Sequence, residues 1–332
     1  MPVAAAAPAP PRMLPSTPTV LRYTVKRLLA TIPVMGLVAL FVFSLLYISP
    51  GDPAAVIAGD IATEDDIARI RAKLGLDQPY LVRFGHWLLA LAQGDLGTSI
   101  FTNLPVSTLI AQRIEPTLAL TVCTLIVAVG LAVPLGVLAA ARAGGWIDRL
   151  VMALSVLGFS VPVFVIAYGL IFLFAVWLDW LPVQGYRSLS EGFVPFIRHM
   201  ILPSVALGIV YMALIARITR ATMLDVLAQD YVRTANAKGL APGTVLIRHA
   251  LKNAAVPIVT VIGIGVALLI GGVVVTESVF AIPGLGRLTV DAILRRDYPV
   301  IQGIILVFSG AYVVVNLVVD MLYTVLDPRI RY

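Results

Sequence analysis

Apolar positions come in long unbroken runs along this chain, and the polar positions gather between them. Residues 117–141 and 150–178 contain no charged side chain. Each run exceeds the roughly 20 helical residues needed to cross a hydrocarbon core of about 30 Å. Closed β-barrels, the other way to span a bilayer, need short alternating segments rather than solid apolar blocks. The pattern predicts an all-α integral membrane protein with six transmembrane helices, over residues 28–48, 117–141, 150–177, 200–216, 254–276 and 301–326. The fourth is the shortest and contains Pro203.

Residues 49–113 are mixed and polar, opening on the turn-rich Pro50-Gly51-Asp52-Pro53. Thr63 before Glu64, Asp65 and Asp66 reads as an N-cap with an acidic first turn, and Ile67, Ile70 and Leu74 give the helix through Lys73 one apolar face. Residues 80–91 form a second amphipathic segment, with Trp87 suited to the headgroup belt, and residues 94–99 form a loop. Together these make a small helical extracytoplasmic subdomain between the first two spans. Residues 179–199 form a further external loop. Residues 1–20, with Pro2, Pro8, Pro10, Pro11, Pro15 and Pro18, bury nothing and read as a disordered tail. The flank Arg22, Lys26 and Arg27 fits a cleaved signal peptide or a retained first span; the length of the run that follows favours the span. The expected divisions are a tail (1–20), first helix plus subdomain (21–113), a transmembrane core (114–326) and a cytoplasmic tail (327–332).

Charge sets the orientation. With the N-terminus inside, cytoplasmic segments hold Arg142, Arg149, Arg217, Arg220, Arg233, Lys238, Arg248 and Lys252 against few acids, namely Asp148, Asp225, Asp230 and Asp327. External segments carry Asp52, Asp60, Glu64, Asp65, Asp66, Asp77 and Asp95. That bias puts both termini in the cytoplasm. Composition agrees with lipid: 60% of the 332 residues are hydrophobic and 13% charged, where soluble domains carry about a quarter charged. The net charge of +6 invites a nucleic-acid reading. The basic residues lie beside apolar spans, however, and orientation accounts for them. Cys123 is the single cysteine, so neither an intrachain disulfide nor a cysteine-based metal site is expected. His86, His199 and His249 lack ligand spacing, and no catalytic constellation or Gly-x-x-x-x-Gly-Lys-Ser/Thr phosphate cradle occurs.

Function concentrates in residues 225–253. Asp230-Tyr231-Val232-Arg233-Thr234-Ala235-Asn236-Ala237-Lys238-Gly239 reads as a short helix with small residues, a glycine break, and then a second helix feeding the next span. Ala235 and Gly239, four apart, would admit a close neighbour, with Arg233 and Lys238 making charged contacts at the rim. A docking knob for a cytoplasmic partner has this construction; a solvated connector has it too.

This stretch resembles the EAA-loop of ABC importer permeases, in the form found in the dipeptide, oligopeptide and nickel permease family. The usual Glu-Ala-Ala appears here as Arg233-Thr234-Ala235, with Gly239 retained. Pro50-Gly51-Asp52-Pro53, Gly94-Asp95-Leu96-Gly97, the run from Glu277 through Leu288 to Pro299, and the C-terminal Leu326-Asp327-Pro328-Arg329 are similar to the same family, over residues 20–332. The resemblance implies a type I ABC importer transmembrane fold in a bacterial cytoplasmic (inner) membrane. It also implies a second homologous permease subunit, two ATP-binding subunits that hold ATP and Mg, and a periplasmic or lipid-anchored solute-binding protein. No cofactor is expected on this chain. Asp230, Tyr231, Arg233, Thr234, Ala235, Lys238 and Gly239 would form the ATPase-coupling loop. The expected cargo is a di- or oligopeptide, with nickel, glutathione or another small solute as the alternative; a stand-alone ion-coupled carrier is the competing class. Glu277, Asn316 and Asp320 are the candidate pore or subunit-contact residues, with helix packing or a subunit contact favoured over pore lining or a proton or cation relay. Gly263, Gly265, Gly271 and Gly272 are expected to permit close helix approach, and Pro134, Pro162 and Pro203 to kink their spans.

Overall fold

The computed structural model describes residues 17–48, 52–58, 62–73 and 75–326. Most of the N-terminal tail, the Pro50-Gly51 turn, Asp60, Leu74 and the C-terminal tail lie outside the described residues. Helices α1 (Thr17–Ile48), α2 (Pro53–Ala58), α3 (Glu64–Lys73), α4 (Tyr80–Ala92) and α5 (Val106–Ala141) are followed by α6 (Trp146–Ser160) and α7 (Val163–Leu170). Next come α8 (Phe193–Leu227), α9 (Asp230–Ala237), α10 (Pro242–Thr244), α11 (Lys252–Val279), α12 (Leu285–Arg295) and α13 (Tyr298–Leu326). Five of the rods are long and apolar enough to cross a membrane, and the bent pair α6–α7 makes a sixth if it is one span.

Three spans depart clearly from the expected ones. Residues 150–177 are not a continuous helix, because α6 and the run from α7 through the π-turn Ile171–Trp177 meet at 105°. The cause is local. Proline disfavours a helical conformation in the residue before it, and Val161, ahead of Pro162, is extended with φ −90° and ψ 127°. The fourth span, by contrast, is a 35-residue helix with Pro203 buried inside it. Prolines inside membrane helices are tolerated where the bundle re-satisfies the backbone groups they free. The second span likewise starts its helix at Val106, ahead of the apolar run.

Helix α8 is the hub, packed against α5, α6, α7 and α11. The main core joins Leu120, Ala128 and Ala132 of α5 to Ala206, Leu207, Tyr211 and Ile215 of α8, with Leu269 and Val273 of α11. Close approach needs small residues. A Cβ on Gly136 of α5 would stand 2.6 Å from the Thr219 Cβ and 2.8 Å from the Ala216 carbonyl oxygen of α8. Of the four α11 glycines, Gly263 and Gly272 make such approaches, to Val319 and Leu207; Gly265 makes ordinary contact and Gly271 has open space. The tight α5–α8 seam leaves the hydroxyls of Thr124, Ser204 and Thr219 buried with no hydrogen-bond partner among the described residues.

The subdomain follows the expected lines. The Thr63 Oγ1 accepts from the Asp66 amide at 3.3 Å, and Asp66 Oδ2 accepts from the Thr63 amide at 3.2 Å. This reciprocal cap starts α3, and the Thr63 hydroxyl holds the Asp66 carboxyl below its ordinary range. Aromatic contacts dock α4 on α1: the Phe43 ring centroid lies 5.4 Å from Tyr80, 5.3 Å from Phe84 and 5.5 Å from Trp87. Trp87 therefore packs inside the subdomain.

Between α7 and α8 a loop is drawn onto the bundle, Tyr186 Oη and Ser188 Oγ both donating to Glu115 Oε1 at 2.9 and 2.5 Å. Burial, then the Glu115 carboxylate, pushes the Tyr186 phenol upward, so it remains a donor.

Replacing Gly136 by Val is expected to destabilise the chain by about 1–3 kcal/mol, since backbone as well as side chain blocks the added carbons. Gly130→Ala, whose methyl meets nothing, is expected to stay within about 0.5 kcal/mol of the parent. Thermal unfolding in detergent distinguishes the two.

Candidate docking helix and the polar contacts that hold it

The end of the bundle opposite the subdomain is built where α8 stops. Gln229 is extended, with φ −74° and ψ 148°, so the chain turns and restarts as α9. Asp230 occupies the first turn, where a negative charge complements the helix dipole. Val232 and Ala235, three apart on one face, are buried against Val245 and the half-buried Leu227. Asp230, Arg233, Thr234, Asn236, Ala237 and Lys238 face outward.

Helix α9 ends in a capping motif. Gly239 has φ +73°, its amide donates to the Asn236 carbonyl at 2.9 Å, and the Leu240 amide donates to the Ala235 carbonyl at 3.4 Å. A left-handed residue at this point closes the helix and satisfies its last carbonyls. Pro242 then opens α10, which continues through the π-turn Val245–Leu251 into α11. Asn253 Nδ2 donates to Tyr231 Oη at 2.9 Å, tying the outer face of α9 to the start of α11. The Arg233–Asp230 pair is 3.5 Å apart with side chains 77% and 96% exposed. Such a pair contributes little to stability, which leaves both charges available to a partner.

All seven residues expected in the docking loop therefore lie on one short helix and its cap. They divide by role. Ala235 faces its own chain and Gly239 closes the helix, so the pair does not form a notch for a visiting backbone. Tyr231, Arg233, Thr234 and Lys238 make the presented surface.

Sequence reasoning missed what braces this end. Asp148, at the start of α6, is almost fully buried and accepts from Arg220 of α8 at both oxygens, with Nη2–Oδ2 at 2.7 Å and Nε paired to Oδ1. It also accepts from the Gly144 amide at 2.9 Å, fixing the turn between α5 and α6. The one available signal was Asp148's isolation among basic residues. A bidentate carboxylate–guanidinium pair is strong and orientation-specific.

Glu277, Asn316 and Asp320 share no partner. Glu277 is 0% exposed and bonded within the chain, to Thr117 Oγ1 at 2.6 Å and the Arg287 amide at 3.0 Å. Asp320 pairs with Arg27 of α1 at 2.8 Å. Asn316 donates to the Tyr312 carbonyl of its own helix at 3.0 Å. Among the described residues, no group of three or more His, Cys, Asp or Glu side chains is placed to hold a metal ion.

Arg220→Met is expected to cost about 3–5 kcal/mol by leaving Asp148 buried without its partner. Combining it with Asp148→Leu should restore part of that loss, as measured by thermal unfolding of the three variants beside the parent.

Residues 132–332 match the family of binding-protein-dependent transport system inner membrane components, and residues 20–121 match its N-terminal part. A probable peptide ABC transporter permease protein of Sinorhizobium fredii is 56% identical over 310 residues, covering 93% of this chain and 99% of the relative. The glutathione transport system permease protein of Salmonella typhimurium is 46% identical over 312 residues, covering 94% and 99%. Among solved structures, a chain of the MetNI methionine ABC transporter in an inward-facing conformation superposes with a TM-score of 0.56 at 18% identity, covering 67% of this chain and 97% of that one. That likeness shows a shared fold.

Proposed function

The chain belongs to the family of inner membrane components of binding-protein-dependent transport systems, and we propose that it works as the pore subunit of a peptide importer driven through α9. It is the permease subunit of a binding-protein-dependent ABC importer, a transporter component rather than an enzyme. Small peptides are the proposed cargo. The support is the naming of its relatives, one for peptide and one for glutathione, itself a tripeptide.

The observation that carries the mechanism is the placement of α9. Its apolar face is held by Leu227 at the end of α8 and by Val245 ahead of α11, while its polar face points away from the chain. A partner pressing on that face pushes on two spanning rods at once. Because α8 packs against four other helices, a tilt there reaches most of the bundle. In this reading two ATP-binding subunits, which hold ATP and Mg, dock at α9 and its counterpart on a second homologous permease subunit. A periplasmic or lipid-anchored solute-binding protein delivers cargo at the opposite end. The excess of Arg and Lys in those segments supports a cytoplasmic α9 end with both termini on the same side. The membrane is then the bacterial inner membrane.

Affinity purification of the tagged chain in mild detergent is expected to recover an ATP-binding subunit and a second permease. Recovery of the chain alone, transporting in liposomes without ATP, would contradict the importer reading. Gly239→Val is expected to reduce ATP-dependent uptake at least about tenfold while the chain still inserts, because a β-branched residue resists the left-handed backbone that caps α9. Gly239→Asn, which tolerates that conformation, is expected to retain most uptake.

A further inference from the structure

Helix α12 has only 11 residues, about 16 Å of helix, so it cannot cross the membrane. It lies at the subdomain end of the bundle, between the end of α11 and the start of α13, and packs also on α5. Its buried face carries Leu285, Leu288 and Ala292. Both of its ends are fastened by carboxylates that are hidden from solvent.

At its N-terminus no residue of α12's own approach supplies a side-chain cap. Two spanning helices supply it instead. Thr117 Oγ1 of α5 accepts from the Leu285 amide at 2.8 Å and donates to Glu277 Oε1 at 2.6 Å. Glu277 Oε2 accepts from the Arg287 amide at 3.0 Å. The first amides of α12, which have no partner inside the helix, are thus satisfied from α5 and α11. The carboxyl group faces the positive end of the helix dipole. Gly284 makes room, since a Cβ there would stand 2.1 Å from Glu277 Oε1. At the other end Asp297 Oδ2 accepts from Ser99 Oγ at 2.5 Å and Oδ1 from the Ile100 amide at 3.2 Å, joining α12 to the turn between α4 and α5.

A buried carboxylate inside a membrane bundle is costly and persists where it does a job. We propose that Glu277 is a positioning residue through which α11 carries α12, so that movement started at α9 arrives at the subdomain surface where cargo enters. This rests on the importer reading above. One rod makes the connection. Helix α11 begins at Lys252, beside the Asn253 that holds Tyr231 of α9, and Glu277 sits near its end at Val279. Glu277 is therefore not a pore-lining group; it fixes the wall that α12 forms.

The test uses cells whose importer is otherwise intact, with Glu277→Ala, Glu277→Gln and Thr117→Val introduced into this chain. Uptake of a radiolabelled dipeptide, subunit recovery by affinity purification and ATP hydrolysis by the purified complex are measured for each. A nitroxide at Ile293→Cys, an exposed position on α12, reports local mobility on a Cys123→Ser background. Glu277→Ala is expected to assemble and hydrolyse ATP within about twofold of the parent, to lose uptake at least about tenfold, and to free the nitroxide. Glu277→Gln, which keeps an acceptor for the Arg287 amide, should retain uptake within about threefold. Glu277→Ala uptake within about twofold of the parent, or an unchanged nitroxide spectrum, would overturn the proposal. So would a Gln variant as defective as Ala. If Glu277→Ala fails to assemble, Thr117→Val decides by the same criteria. A parent complex with no ATP-dependent uptake of any peptide would count against the importer reading instead, and the nitroxide comparison would still judge the fastening of α12.

Discussion

Hydrocarbon offers no hydrogen-bond partner, so an ionisable group inside a membrane bundle is costly unless it finds its partner within the protein. The long-range contacts of this chain are organised by that requirement. Asp148 meets Arg220 across α6 and α8, Glu277 meets Thr117 and the amides of α12, and Asp297 meets Ser99. Asp320 meets Arg27 across α13 and α1. Each contact joins segments far apart in sequence. Dispersion and small-residue seams bring helices together in lipid, and the buried acids add directional contacts between them.

The distribution of these contacts gives the molecule two braced ends. At one, Asp148–Arg220 stiffens the turn beneath α8, and α9 is gripped between α8 and the start of α11. At the other, Glu277 and Asp297 fasten α12 between the spanning rods and the subdomain. Helix α11 runs between the two ends as one element, continued toward α9 by a π-turn rather than by a flexible linker. A force applied to α9 therefore has a stiff path to the opposite end. In the proposed reading the chain transmits force and its partner subunits supply the energy.

Local physics was legible in the sequence and distant pairing was not. The spans, the Thr63-capped α3, the amphipathic α4 and the short helix closed by Gly239 all follow from patterns within a dozen residues. The break at Pro162 announced its place but not its 105° angle, because the outcome depends on whether neighbouring helices hold the two halves in line. Helix α8 outran its apolar stretch at both ends; near its last turns Arg220 pairs with Asp148 while Arg217 stays exposed. Glu277 was visible as an acid at the end of a span. Its partner Thr117 stands 160 positions earlier, and nothing in either neighbourhood points to the other. Ala235 misled for the opposite reason. Its spacing from Gly239 suggested a shared outer surface, but the side that Val232 and Ala235 share is the one the chain buries.

The claim on which the rest depends is that the exposed face of α9 is where the driving subunit binds. A photo-crosslinking amino acid at Arg233, compared with one at Phe159, an exposed position on a spanning helix, tests it directly in cells carrying the complete importer. Light is expected to join the chain to an ATP-binding subunit from position 233 and not from 159. A crosslink at 233 to lipid alone, or to no protein while uptake proceeds normally, would contradict it.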